Sequence, residues 1–351
     1  MTPNMTPELT TAMKEVLDTY ATFGPLPIDH LTPQCARQLP ELKDAVTAVM
    51  NKHISTRFVK SGVVSVGSVE HTLVPTVDGE LVARIYKPRG DGPFPVTLYF
   101  HGGGWVIGSI NSYDSSCRAL CSAAGSIVVS IGYRQAPENP YPAAHDDAYA
   151  SYKWLLSHAD RIGGDSRRIA IAGESAGGNL AASVCIRARD EGLPLPVHQL
   201  LIYPVVDWQM ESGSYQLYAQ AKPLSRDMMK WFMKHYFENS KIPLRGDALP
   251  LLVEDLRDLP PATVITAEVD PLCNEGEEYA HRLFSAGVPV TKKRYEKVTH
   301  EFFGMGAVVS EANDAVKFAA HHLQLSFDTT DVPELEKMQT NTLRSDINPV
   351  F

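Results

Sequence analysis

The chain has 351 residues, 44% apolar and 21% charged, with a net charge of −9. That length and apolar share are enough for one large α/β core with insertions. The negative balance, with no basic run longer than Lys292-Lys293-Arg294, argues against a nucleic-acid partner. No stretch reaches the about 18 apolar residues that point to a membrane span.

At the N-terminus, Met1 to Leu9 lack a cationic stretch followed by an apolar core, so no signal peptide is expected. Residues 1 to 60 are helical in pattern, interrupted by Pro25, Pro27, Pro33 and Pro40. The turn signal Asp78-Gly79 then predicts a hairpin into a strand from Leu81 to Lys87. Short apolar runs follow at Val96 to Phe100, Ser126 to Ile131, Arg168 to Ala172, Val197 to Tyr203, Thr263 to Thr266 and Val290 to Tyr295. Helical patterns separate them: Ser112 to Ala123, Ala144 to His158, Ala176 to Glu191, Glu275 to Ala286 and Glu311 to Leu323. Continuous apolar strands alternating with helices predict a mostly parallel sheet covered on both faces, with an antiparallel start.

Residues 207 to 245 break that rhythm with a helix from Arg226 to Phe237, capped by Ser225 and rich in Met, Trp and Phe. The division expected is a cap segment at 1–60, core at 61–206, a second cap segment at 207–245, core again at 246–326, and a polar tail at 327–351. The two cap segments are expected to meet over the carboxyl ends of the strands, where open α/β sheets bind ligands. The alternative for Met228, Met229, Trp231, Phe232 and Met233 is packing against the sheet domain. Five cysteines, an odd count without C-x-x-C spacing, predict neither a disulfide framework nor a zinc site. Cys117 and Cys121 read as buried thiols, and a reducing cytoplasm fits this usage.

The chemistry concentrates at strand ends. Gly173-Glu174-Ser175-Ala176-Gly177-Gly178 joins a strand to a helix with a serine at the apex. This is the nucleophile elbow pattern: a strained turn lifts the hydroxyl from the sheet, and the helix N-terminus behind offers N–H groups to an anion. His101-Gly102-Gly103-Gly104-Trp105 follows the run Val96 to Phe100. Three glycines let backbone N–H groups approach a ligand, which reads as an oxyanion hole completed by the N–H of Ala176. Other uses of glycine fail: no dinucleotide fingerprint is present, and Asn179 stands where a phosphate-binding lysine would be needed.

A serine nucleophile needs a base, and the base an orienting carboxylate. Asp270 and His300 lie just past the ends of two later strands, in the order Ser, acid, His. Glu268 is the competing acid. His281, His321 and His322 fall in helical patterns and read as surface residues; His235 lies in the cap helix. There is no H-E-x-x-H, so a zinc hydrolase is disfavoured.

These motifs, with Tyr133-Arg134-Gln135-Ala136-Pro137-Glu138, Tyr141 to Asp147, Asp270-Pro271-Leu272 and His300 with Phe302-Phe303, resemble the hormone-sensitive-lipase-like carboxylesterases (bacterial esterase family IV) of the α/β-hydrolase superfamily. The resemblance runs from about Val69 to about Leu325. It implies an α/β-hydrolase fold with a helical cap, and cofactor-free hydrolysis of small acyl esters, mostly with short to medium chains. It assigns Ser175 as nucleophile, His300 as base, Asp270 as acid, and the N–H groups of Gly103, Gly104 and Ala176 as oxyanion donors, with Gly102 shaping the loop. The alternatives are an amidase or arylformamidase, a lipase with the same triad, and a receptor without catalysis; the receptors of this kind lack the histidine, which is present here. Homo-oligomerisation is left open. The chain departs from the family pattern at Glu174 (usually Asp or Thr), Gln135 (Leu), Cys273-Asn274 (Arg-Asp) and Glu301 (Gly).

Overall fold

The computed structural model describes residues 8–56 and 62–329. The start of the N-terminal segment and most of the polar tail expected at 327–351 lie outside the described residues. Ten helices are described: α1 Thr11–Thr22, α2 Pro33–Ala36, α3 Leu42–Thr56, α4 Asp114–Ala124, α5 Ala143–His158, α6 Ala176–Asp190, α7 Gly213–Leu217, α8 Arg226–Met233, α9 Cys273–Ser285 and α10 Ser310–Asp328. Eight strands accompany them: β1 Ser68–Thr76, β2 Gly79–Lys87, β3 Phe94–Phe100, β4 Ile127–Gly132, β5 Gly164–Glu174, β6 His198–Ile202, β7 Ala262–Val269 and β8 Val290–Thr299.

The strands form one sheet in the order β1-β2-β4-β3-β5-β6-β7-β8. β1 and β2 form the antiparallel hairpin, β2 pairs antiparallel with β4, and the other five pairings are parallel. β1 leaves little mark in the sequence because its burial is weak: most of its residues are exposed or half-buried at the sheet edge. Farther in, alternate side chains enter two separate cores. From β3, Val96, Leu98 and Phe100 join α5 and α6 on one face, while Tyr99 joins α4 and α10 on the other. Because both faces are buried, these strands read as unbroken apolar runs.

Register decides which loops become neighbours. Phe100 pairs with Gly173, which sets the glycine loop after β3 beside the serine turn after β5. A register shift between Ala267 and Val269 ends with Val269 opposite Thr299, so the next residues, Asp270 and His300, leave the sheet side by side.

The aromatic helix α8 comes close to the glycine loop: a Cβ on Gly104 would strike the Phe232 ring. Ser225 Oγ accepts from Met228 N at 3.2 Å and caps α8, which continues past Met233 as one wider turn, residues 234–238. Trp231 Nε1 donates to the Leu31 carbonyl at 3.0 Å, tying α8 to the N-terminal segment. Trp105 stacks on Tyr236 at 4.8 Å and meets the edge of Phe237 at 5.2 Å. Met229, Trp231, Phe232, Met233 and Phe237 are buried in the same core cluster as residues of α5 and α6, and Met228 is partly buried against it. The four described buried cysteines and the exposed Cys35 are all free. Among the described residues no helix is long and apolar enough to cross a membrane.

Candidate active site

The serine turn is tight because its flanks lack side chains. Ser175 has φ 57° and ψ −118°, a strained backbone for a residue with a Cβ. A Cβ on Gly177 would run into the Phe100 carbonyl, and one on Gly173 into the Gly177 carbonyl. The turn is held against β6: Ser175 N donates to Ile202 O at 2.9 Å, and Val205 N to Ser175 O at 3.2 Å. The Ala176 N–H stands at the first turn of α6, beside the hydroxyl.

His300 Nε2 lies 2.9 Å from Ser175 Oγ, and His300 Nδ1 lies 2.6 Å from Asp270 Oδ2. Asp270 Oδ1 accepts from Leu272 N at 2.9 Å, which orients the carboxylate. All three side chains are buried. Burial alone would push the His300 pKa down; the charge and hydrogen bond of Asp270 outweigh it and hold the imidazole above its ordinary value. Glu268 is placed elsewhere: its carboxylate accepts from Lys297 N at 2.7 Å.

On the other side of Ser175, Gly103 and Gly104 adopt φ 102° and 58°, which glycine takes without strain. A Cβ on Gly103 would strike the Ile107 carbonyl, and one on Gly104 the ring of Phe232. Val106 N and Ile107 N donate to Gly103 O at 3.1 and 2.9 Å and fold the loop back on itself. His101 anchors its start. Its ring stacks on Tyr133 at 4.3 Å, its Nδ1 lies 2.7 Å from Gly102 O, and burial pushes its pKa down to about 4, so it is neutral.

The departures from the family pattern acquire places. Gln135 Nε2 donates to Ile107 O and Gly108 O at 2.8 and 3.0 Å, closing the far side of the glycine loop. Asn274 Oδ1 accepts from Ser214 N at 2.7 Å, and Ser214 Oγ donates to Pro271 O at 2.6 Å, joining α7 to the Asp270 loop. Glu174 is buried and accepts from the hydroxyls of Tyr99 and Tyr203. Burial pushes its carboxyl up. Tyr203 in turn places its ring 4.5 Å from that of His300.

Two supports escaped the sequence reading. Tyr203 ends an apolar run like any strand tyrosine and carries no signal of its own. Glu275 is buried and accepts from Val206 N at 2.8 Å and Asp207 N at 3.3 Å, fixing the loop after β6 against α9. An acid near the start of a helix is too common to reveal this.

A narrow crevice of about 20 Å³ opens at Ser175 and His300, bounded by Gly103, Gly104, Leu224 and Phe232. Beside it lies a cavity of about 720 Å³, walled by Tyr20, Glu41, Tyr113 and Ser116 among others. Gly103, Ile107, Pro223, Met228 and Glu301 line both, so the crevice and the cavity adjoin.

A serine at the apex of a strand–turn–helix, with histidine and aspartate at later strand ends, is the arrangement of the α/β-hydrolase class. Residues 97–304 match the family described as the alpha/beta hydrolase fold. The chain is 40% identical over 260 residues to the carboxylic ester hydrolase LipN of Mycobacterium tuberculosis, covering 71% of this chain and 69% of that one. It is 37% identical over 254 residues to the ethyl acetate hydrolase of Pseudomonas putida, covering 71% and 80%. The solved hyperthermophilic esterase from the archaeon Pyrobaculum calidifontis superposes with a TM-score of 0.80 at 35% identity, over 91% of this chain and 98% of that one. The chain belongs to the α/β-hydrolase family, in its hormone-sensitive-lipase-like branch of esterases.

Proposed function

We propose that the chain hydrolyses carboxylic esters with short to medium acyl chains through an acyl-enzyme on Ser175. The observation that carries the reading is the row Ser175 Oγ, His300, Asp270, bonded at 2.9 and 2.6 Å. His300 Nε2 takes the hydroxyl proton as Ser175 Oγ attacks the ester carbonyl. The oxyanion forms against the N–H groups of Gly103, Gly104 and Ala176, preorganised by the folded glycine loop and the N-terminus of α6. His300 then delivers the proton to the leaving alkoxide, and the alcohol departs. Water, deprotonated by the same imidazole, attacks the acyl-enzyme; the proton returns to Ser175 as the acid leaves. Asp270 holds the Nδ1–H tautomer and stabilises the imidazolium in both halves.

In this reading residues 1–60 and 207–245 are the cap, supported by the Trp231–Leu31 bond and by the position of Phe232 over Gly104. The five free cysteines support a reducing, cytoplasmic setting. The test is hydrolysis of p-nitrophenyl butyrate with a burst of nitrophenol, and labelling of Ser175 by a phosphonate or sulfonyl fluoride. Labelling of a different residue, or undiminished turnover in Ser175→Ala, would overturn it.

A further inference from the structure

Glu301 follows His300 directly and has φ 65° and ψ 10°, the left-handed conformation that suits glycine best. Its side chain lines both the crevice at Ser175 and the large cavity. Beyond Asp270, three acids that line the cavity differ in how their oxygens are used. Glu174 is held by two tyrosine hydroxyls. Glu41 accepts from Ser112 Oγ at 2.6 Å and pairs with Lys43 at 2.7 Å. Glu301 has one long hydrogen bond, from Tyr113 Oη at 3.3 Å, and among the described residues no lysine or arginine pairs with it. Two cations in the cavity wall are engaged elsewhere: Arg37 with Glu138 at 2.8 Å, and Lys43 with Glu41 and Asp44. The third, Lys222, is exposed.

A half-buried carboxyl with spare acceptor capacity favours a cation that replaces the water it has lost. The side of the substrate that meets it follows from the chemistry. His300 Nε2 must reach the leaving oxygen, so the alcohol part departs past His300 and the residue that follows it. We propose that Glu301 is a specificity residue: it makes the enzyme select esters whose leaving alcohol carries an ammonium group, seated in the cavity against the Glu301 carboxylate. Tyr113, whose hydroxyl touches Glu301, adds an aromatic wall for the same cation. Burial, with the charges of Glu174 and Glu41, holds the Glu301 carboxyl above its ordinary value, against a charge on His300 and the Tyr113 hydrogen bond, which lower it. A bound ammonium acts in the second direction and holds the carboxyl ionised.

The inference rests on the ester-hydrolase reading above, and one experiment separates the two. Butyrylcholine and 3,3-dimethylbutyl butyrate have the same shape and differ by the positive charge. Their kcat/KM values, each divided by the ester's own alkaline hydrolysis rate constant to remove the difference in leaving-group reactivity, are measured by pH-stat for the wild type, Glu301→Gln and Glu301→Gly, with p-nitrophenyl butyrate as reference. The wild type should prefer the choline ester by roughly tenfold, the scale of a partly screened ion pair gained at this site. Both variants should bring the ratio close to one. Any effect of the substitutions on His300 is common to both esters and cancels in the ratio. The glycine variant suits the backbone at this position, so it keeps the test valid should glutamine disturb the turn. A wild-type ratio near one, or a preference unmoved by both substitutions, overturns the role of Glu301 while leaving the esterase reading intact. Failure of the wild type on p-nitrophenyl butyrate as well would instead sink the esterase reading.

Discussion

The strand-end loops and the aromatic cover above them are built differently. Each triad group is set by backbone pairing and then locked by a short hydrogen bond: Ser175 to β6, Asp270 to Leu272 N, His300 between the two. The cover rests on ring packing around Trp105, Tyr236 and Phe237, with directional bonds such as Trp231 to Leu31. Hydrogen-bonded loops on a buried sheet hold a geometry to tenths of an ångström; packed aromatic side chains tolerate substitution if volume is kept. The first region should therefore govern rate, with Glu301 the residue in it that acts on the leaving alcohol, and the second the choice of acyl chain.

The largest expected effect lies in the loops. Ser175→Ala and His300→Ala should each lower kcat by about four or more orders of magnitude, and the double variant should lose no more than either alone, because the groups act as one unit. Asp270→Asn should lose up to about 10⁴, through the wrong His300 tautomer. Steady-state kinetics on p-nitrophenyl butyrate would check this; a full loss in Glu268→Gln with activity retained in Asp270→Asn would move the acid. Next comes Gly103→Ala, which should cost on the order of 10²–10³ in kcat, since its Cβ forces the loop off the Ile107 carbonyl and displaces oxyanion donors. A rise in KM at constant kcat would make the loop a ground-state binding element instead.

The cover should act on selectivity. Each acyl methylene that finds room under the aromatic residues, in space the leaving alcohol does not take, adds ~0.8 kcal/mol at most. The kcat/KM should therefore rise from acetyl to about butyryl or hexanoyl esters, then fall. Met228→Trp, filling the wall shared by crevice and cavity, should move that maximum toward shorter chains and leave acetyl esters the least affected. Fast turnover of long-chain triglycerides with a jump at the interface would make the cover a lipase lid. The smallest effect expected is in pH. Catalysis needs neutral His300, and Asp270 holds its pKa above 6.5 despite burial. Activity should fall as pH drops through a midpoint above that ordinary value. In Asp270→Asn the largest influence that raises the pKa is gone and burial is opposed only by the charges of Glu301 and Glu174, so the residual activity should titrate at lower pH; a midpoint that moves up or stays would mean Asp270 is not the group that holds it.

The sequence by itself determined the class of fold, because strands buried on both faces leave apolar runs that local reading detects, as at Val96 to Phe100 and Arg168 to Ala172. It also carried the serine turn and the glycine loop, since close backbone approach there admits no side chain and so leaves its mark in composition. Its order and strand-end logic named Asp270 and His300 but kept Glu268 beside them. Tertiary structure alone set the two acids apart in space: a register shift in β7 brings Val269 opposite Thr299, so that Asp270 emerges beside His300 while Glu268 turns to Lys297 N. It alone revealed that Glu174 serves Tyr99 and Tyr203 and that Glu301 faces the cavity. These outcomes depend on contacts between residues far apart in the chain, and a carboxylate's neighbours in space leave no trace in its neighbours in sequence.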